Sequence, residues 1–246
     1  EDFLEDFLEI WGRLPRAGPG DDASTRRALE MMTGLGPTPR ILDLGCGPGA
    51  QTVELLRRTG GTVVALDLLP HMLDRAGQAV RGAGVSDRCE LVEADMNQMT
   101  FAPGSFDVVW SEGALYFMGF REGLSRVRDL VRPGGYVAVS DAVWLKEDPP
   151  EPLEAFWGQY PEMANVDAKL QVIKDVGLET VGHFILPASS WTEGYYDPMA
   201  RRLLELDLEW QDRPETRGLL AEARAEIAMF EAYSEFYGYA FFVMRR

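Results

Sequence analysis

The sequence predicts an open α/β fold with a doubly wound parallel sheet, and three observations carry that prediction. The apolar run Arg40-Ile41-Leu42-Asp43-Leu44 passes at once into Gly45-Cys46-Gly47-Pro48-Gly49, which reads as a buried strand, a sharp turn and a helix start. Two further short strands, Thr62 to Asp67 and Glu90 to Asp95, also end in an acid. Helical patterns at 70–83 and 121–130 fall between strand-like segments, as crossover connections require.

Taken in chain order, the first forty residues hold two helical patterns. One is Phe3-Leu4-Phe7-Leu8-Ile10-Trp11 and the other runs from Thr25 to Met32. Between them Pro15-Arg16-Ala17-Gly18-Pro19-Gly20 is barred from helix and reads as a rigid loop. After the glycine turn, Pro48 suits a first helical turn, and Gln51, Val53, Leu55 and Leu56 continue the helix. Glycine is required in the turn because a side chain would hold the backbone off a ligand or forbid positive φ. Phe106 to Gly113 is the fourth strand with its exit, and Arg132-Pro133-Gly134-Gly135 is the turn into a fifth strand ending near Asp141. Glu147 to Pro152 reads as a linker, followed by a helical region with Phe156, Trp157 and Tyr160. Glu179 to Pro187 is a sixth strand and Tyr239 to Met244 a seventh, with amphipathic helices near 198–211 and 215–235 between them.

At 246 residues, one α/β domain with an elaborated cap accounts for the chain. Its 46% hydrophobic and 26% charged residues are those of a soluble globule. The net charge of −16 argues against nucleic acid and against an anionic membrane surface as partners, since both need clustered Lys and Arg. Cys46 and Cys89 have no metal spacing and form no redox pair, so they read as reduced thiols of a cytoplasmic protein. No apolar run approaches a membrane span. The chain starts at Glu1 rather than Met, which leaves a leader ahead of it open.

The glycine spacing narrows the ligand. Gly45, Gly47 and Gly49 make G-x-G-x-G rather than the dinucleotide G-x-G-x-x-G, and no Gly-Lys-Ser/Thr follows to hold a triphosphate. The turn with Asp43 resembles motif I of the class I S-adenosylmethionine (SAM) dependent methyltransferases. The resemblance continues through Thr62 to Asp67, Glu90 to Met96, Phe106 to Gly113 and Arg132 to Val139, in order over about residues 40–143. Ser111 to Tyr116 and the ending Tyr237 to Phe242 resemble a ubiquinone/menaquinone-type, methyltransferase type 11-like bacterial branch, so the likeness covers nearly the whole chain.

That resemblance implies a Rossmann-like seven-stranded sheet of order 3-2-1-4-5-7-6 with strand 7 antiparallel. It divides the chain into an N-terminal helical lid (1–39), a SAM-binding core (40–143) and substrate-cap helices with C-terminal strands (144–246). It implies SAM, with no metal, held by Asp43, Gly45, Cys46, Gly47, Gln51, Asp67, Leu68, Met72, Asp95, Met96, Ser111 and Glu112. Asp67 would take the ribose hydroxyls and Asp95 the adenine amine, with Met96 beside the ring. From the lid, Arg16 and Gly18 would close over the cofactor, Arg16 meeting the methionine carboxylate or else serving as a solvated hinge. A plainer reading of Asp43, Asp67 and Asp95 is that each caps the helix after its strand.

Methyl transfer rewards holding the acceptor in line more than acid–base help. Glu112 is the best-placed base and equally an anchor; Tyr116 is the second catalytic candidate and Asp141 a weaker one. Tyr116, Tyr195 and Tyr196 are expected on an acceptor wall, since aromatic faces attract a sulfonium or an amine. His183 reads as structural. The expected activity is methylation of a small molecule at oxygen, nitrogen or carbon, by a monomer or homodimer. Its rivals are a quinone-precursor or protein side-chain methyltransferase and a SAM-binding protein without catalysis. An NAD-dependent reductase is disfavoured by the glycine spacing and by the lack of a Tyr-x-x-x-Lys pair.

Overall fold

The computed structural model describes residues 2–246; Glu1, the first residue of the expected lid, lies outside the described residues. Helices α1 (Asp2–Ile10) and α2 (Asp22–Glu30) precede the sheet. Strands β1 (Arg40–Leu44), β2 (Thr62–Asp67), β3 (Cys89–Glu93), β4 (Phe106–Glu112) and β5 (Val131–Trp144) then alternate with α3 (Ala50–Arg58), α4 (Pro70–Gly82) and α5 (Phe120–Leu130). Beyond β5 come α6 (Glu151–Trp157), β6 (Ala164–Asn165), α7 (Val166–Asp175), β7 (Glu179–Ile185), α8 (Ala188–Trp191), α9 (Asp197–Glu209), α10 (Arg217–Tyr233) and β8 (Tyr237–Arg245).

The strands lie in the order β3-β2-β1-β4-β5-β8-β7, with β6 added beside the end of β5. β1 to β5 pair in parallel, whereas β8 runs antiparallel between β5 and β7. The expected order therefore holds, with β7 and β8 in the places of strands six and seven. Among the described residues the count is eight rather than seven, because two residues at Ala164–Asn165 pair with Val143 and Trp144. Strand alternation sends side chains to two apolar layers. Ile41, Val108 and Trp110 pack with residues of α2, α3, α4, α9 and α10, while Leu42, Leu44 and Val109 pack with residues of α5 and α7.

Three local readings are corrected. Pro48 lies before the helix, not in its first turn: Gly49, at φ +87°, is the cap, and α3 starts at Ala50. α2 starts at Asp22 rather than Thr25, because the Asp21 carboxylate accepts from Ser24 N at 2.7 Å and caps the helix three residues earlier. The Arg132–Gly135 turn sits inside β5 as an irregularity: Phe106 pairs with Val131 and Val108 with Tyr136, so the partner strand skips one residue where this one skips four. Gly135 is needed there, since a Cβ would lie 2.5 Å from the Asp107 carbonyl. α7, α8 and β6 were not expected. His183 is exposed on β7, with its ring stacked on Phe242 at 6.3 Å.

A candidate cofactor and acceptor cavity

A cavity of about 510 Å³ opens where β1, β2 and β4 end, covered by α1 and by the loop from Arg16 to Pro19. Its floor is the glycine turn. Gly45 N and Cys46 N both donate to the Leu66 carbonyl, at 2.8 and 3.0 Å, tying the turn to the end of β2. Gly47 N donates to Asp67 Oδ2 at 2.8 Å, and Leu69 N to Asp67 Oδ1 at 3.0 Å. Asp67 thus fixes the backbone on both sides of the cavity and still carries lone pairs for a ligand. The turn must be glycine because its neighbours crowd it: at Gly45, φ +67°, a Cβ would meet the Ala114 methyl at 2.4 Å, and at Gly47, φ +53°, the Ala17 methyl at 3.3 Å.

The structure brings most of the predicted residues to this one cavity. Arg16, Gly18, Gly45, Cys46, Gly47, Gln51, Asp67, Leu68, Met72, Asp95, Met96, Glu112 and Tyr116 all line it. Asp95 also caps the short helical turn Met96–Gln98, accepting from Asn97 N at 2.8 Å. Capping and cavity lining therefore coexist at Asp95.

Two predicted cofactor residues do not line the cavity. Asp43 is fully buried beneath the turn, where Thr52 Oγ1 and Gln51 Nε2 donate to it. On β1 its side chain points to the α3 side of the sheet, so it supports the turn from below. Without a basic partner, burial pushes its pKa up to about 7. Ser111 is likewise buried, its hydroxyl donating to the Leu44 carbonyl at 3.0 Å and pinning β4 to β1.

Glu112 is engaged on both oxygens. Oε1 accepts from Thr25 Oγ1 at 2.7 Å and Trp110 Nε1 at 2.9 Å, and Oε2 from Arg16 Nη1 at 3.2 Å. Burial raises its pKa against the pull of Arg16 and the two donors. Three donors thus hold the carboxylate, two on Oε1 and one on Oε2. Arg16 is nearly buried and spans Glu112 and Asp22, at 2.7 Å, so both terminal nitrogens of the expected methionine-carboxylate ligand already hold carboxylates of the chain. The loop from Arg16 to Pro19 is thereby tied to the end of β4.

Tyr116 sits on a short helical turn, Leu115–Met118, with its ring against Phe117 at 4.1 Å and edge-on to Tyr160 at 6.0 Å. Burial and the charges of Glu226 and Asp141 push its hydroxyl up to about 12, so it stays protonated at neutral pH. Tyr195 and Tyr196 are buried and do not line the cavity, which corrects their place on the wall: Tyr196 packs with Trp191 and Phe230, and Tyr195 packs on Tyr196. Asp141 is also withdrawn, held by Lys169 and by Tyr160 OH at 2.6 Å. Sequence reasoning missed Phe7 and Trp11 as lining residues. Their i, i+4 spacing, realised as rings stacked at 4.5 Å, was the available signal.

Among the described residues no helix is long and apolar enough to cross a membrane, and no three His, Cys, Asp or Glu are grouped to hold a metal ion.

Comparison with known proteins gives three findings. Residues 41–135 match a family described as methyltransferase domain. The 27-O-demethylrifamycin SV methyltransferase of Amycolatopsis mediterranei is 30% identical over 187 residues, 72% of this chain and 63% of that protein. Sterol 24-C-methyltransferase ERG6B of Gibberella zeae is 30% identical over 178 residues, 68% of this chain and 46% of that protein. Methyltransferase GfsG of Streptomyces halstedii is 34% identical over 42% of this chain and 38% of its own length, so the chain spans about half the length of the relatives it matches. In fold, it is similar to a SAM-dependent methyltransferase from Geobacter sulfurreducens in complex with S-adenosyl-L-homocysteine, with a TM-score of 0.86 and 18% identity over 98% of both chains. YjhP from E. coli superposes with a TM-score of 0.83 at 20% identity, covering 98% of this chain and 100% of that one.

Proposed function

We infer that this chain, which belongs to the class I SAM-dependent methyltransferases, moves a methyl group from SAM to a small-molecule acceptor at oxygen, nitrogen or carbon. The observation that carries the reading is the convergence of the glycine turn, Asp67, Asp95, Met96 and the Arg16–Glu112 lid tie on one covered cavity.

The donor set suits the group. SAM has no phosphate, and the turn offers no anion cradle, since its Gly45, Cys46 and Gly47 amides are already spent on Leu66 and Asp67. Asp67 and Asp95 are acceptors for ribose hydroxyls and for an adenine amine, with Leu68, Met72 and Met96 as apolar neighbours. SAM supplies an electrophilic methyl on a sulfonium whose charge is lost as the bond forms. The chain's own residues bind, orient and exclude water. Phe7, Trp11 and the Arg16–Pro19 loop cover the cavity, while Glu112 holds that cover to β4. Alignment of this kind is worth on the order of 7–11 kcal/mol. Tyr116 lines the cavity, and in this reading its hydroxyl meets the acceptor as a hydrogen-bond donor rather than a base.

The three donors already on Glu112 also favour a second reading, binding of SAM without turnover. Incubation with methyl-labelled SAM and a panel of small amines, phenols and quinone precursors separates the two. Acceptor-dependent S-adenosylhomocysteine confirms transfer; saturable SAM binding with no product across the panel supports the second reading, and no binding at all overturns both.

A further inference from the structure

A second hollow, of about 750 Å³, lies between residues 13–15, α4 and α9. In a chain of net charge −16 its walls are basic. His71 and Arg75 face it from α4 at i, i+4, Arg201 and Arg202 from α9, and Arg13 from the connecting segment, against one carboxylate, Glu205. Arg13, His71 and Arg201 are exposed, so the hollow is open to solvent. No residue lines both this groove and the cofactor cavity.

These cations are not equally spent. Arg13 and Arg202 share the Glu9 carboxylate, at 2.7 Å each, and Arg202 also holds Glu205 and Glu209 at 2.9 and 3.0 Å. Arg75 Nη1 donates only to backbone, to the Gly12 and Leu14 carbonyls on either side of Arg13, and His71 Nε2 donates to Gly12 at 3.2 Å. Among the described residues Arg75 makes no ion pair, and its Nε and Nη2 have no acceptor. Arg201 has neither an ion pair nor a hydrogen bond there. Burial, and after it the like charge of Arg13, pulls the Arg75 pKa down. A half-buried guanidinium beside another cation, with no carboxylate of its own, costs free energy that an anion would recover. At physiological salt the screening length is about 8 Å, so this local cluster outweighs the distant acidic surface in what the groove attracts.

We propose that the groove is a second ligand site, taking a phosphate-bearing small molecule with its phosphate on the free edge of Arg75, in the field of Arg13 and Arg201. A guanidinium edge offers two parallel donors that match phosphate oxygens, and a phosphate monoester brings nearly two charges where a carboxylate brings one. The volume is that of a small-molecule pocket. The assignment does not depend on the methyl-transfer reading.

The test is calorimetry on the full chain in about 150 mM salt, where diffuse attraction is screened. The probes are inorganic pyrophosphate and, as a dicarboxylate, malonate, each with and without saturating S-adenosylhomocysteine. Wild type is expected to take up one pyrophosphate per chain, more tightly than malonate and equally well with S-adenosylhomocysteine bound. Arg75→Gln should weaken that binding by roughly tenfold or more, and Arg201→Gln, which gives up no contact in the structure, by roughly fivefold. Arg81→Gln removes the same charge from α4 outside the groove and should change nothing. Thermal denaturation checks that each variant is folded. No saturable binding, malonate held as tightly as pyrophosphate, or a loss in Arg81→Gln as large as in Arg201→Gln overturns the assignment. Displacement by S-adenosylhomocysteine also overturns it, since the probe would then occupy the cofactor cavity. Failure to bind S-adenosylhomocysteine sinks the methyl-transfer reading alone, because the pyrophosphate titration stands without it.

Discussion

Replacing Glu112 by Gln separates an anchor from a base. The substitution keeps one carbonyl oxygen for Thr25 Oγ1 and Trp110 Nε1 but turns an amide toward Arg16 Nη1, donor against donor. The pair is buried, with the two side chains 9% and 5% exposed, so solvent screens it little. Breaking a buried ion pair costs about 3–5 kcal/mol. Arg16 keeps Asp22, but that carboxylate is 54% exposed and compensates only in part. The expected loss is therefore about 2–3 kcal/mol, which for a chain of this size lowers Tm by roughly 5–10 °C. Because the broken tie holds the Arg16–Pro19 loop over the cavity, S-adenosylhomocysteine affinity should fall with stability. Thermal denaturation and calorimetry on Glu112→Gln, Arg16→Met and the double variant read both, and the double variant should cost less than the sum of the singles. Unchanged Tm and affinity with turnover abolished would refute the anchor and return Glu112 to the role of base.

Three further outcomes follow from the same geometry. Asp67→Ala frees Gly47 N and Leu69 N and removes the acceptor on the cavity wall, so SAM affinity should drop by about 1–3 kcal/mol, and an unchanged calorimetric Kd would remove Asp67 from the site. Asp43 titrates near 7 when folded and near 4 when unfolded, so the native chain holds the extra proton between those values. Stability therefore falls as pH rises through that window, by about 2–3 kcal/mol between pH 5 and pH 7 from this group. Asp43→Asn should flatten that slope in denaturant unfolding at several pH values; a slope as steep as wild type assigns the dependence elsewhere. Lys169→Met strands the buried Asp141 carboxylate without a cation and should cost about 3–5 kcal/mol. Adding Asp141→Asn should recover part of it, and no recovery would mean that Lys169 acts through packing alone.

The frame of this protein is written in short-range pattern. Apolar runs that end in an acid or a glycine are local patterns, and backbone periodicity turns them into parallel strands with their functional ends on one edge. The strands and the glycine turn were legible in that way, while strand order and thirteen of the residues found lining the cavity came from the family resemblance that those patterns carry. Tertiary structure alone decided which neighbours those side chains meet. Asp43 and Ser111 sit in the same motifs as the lining residues, yet the alternation of β1 and β4 turns them inward to Thr52 and Leu44. Glu112 meets Arg16 and Thr25, 96 and 87 residues away in sequence, only once the N-terminal segment packs on the end of β4. Tyr195 and Tyr196 left the cavity wall for Glu226 for the same reason. Partners that distant are chosen by how helices pack on the sheet, and no local spacing encodes that choice.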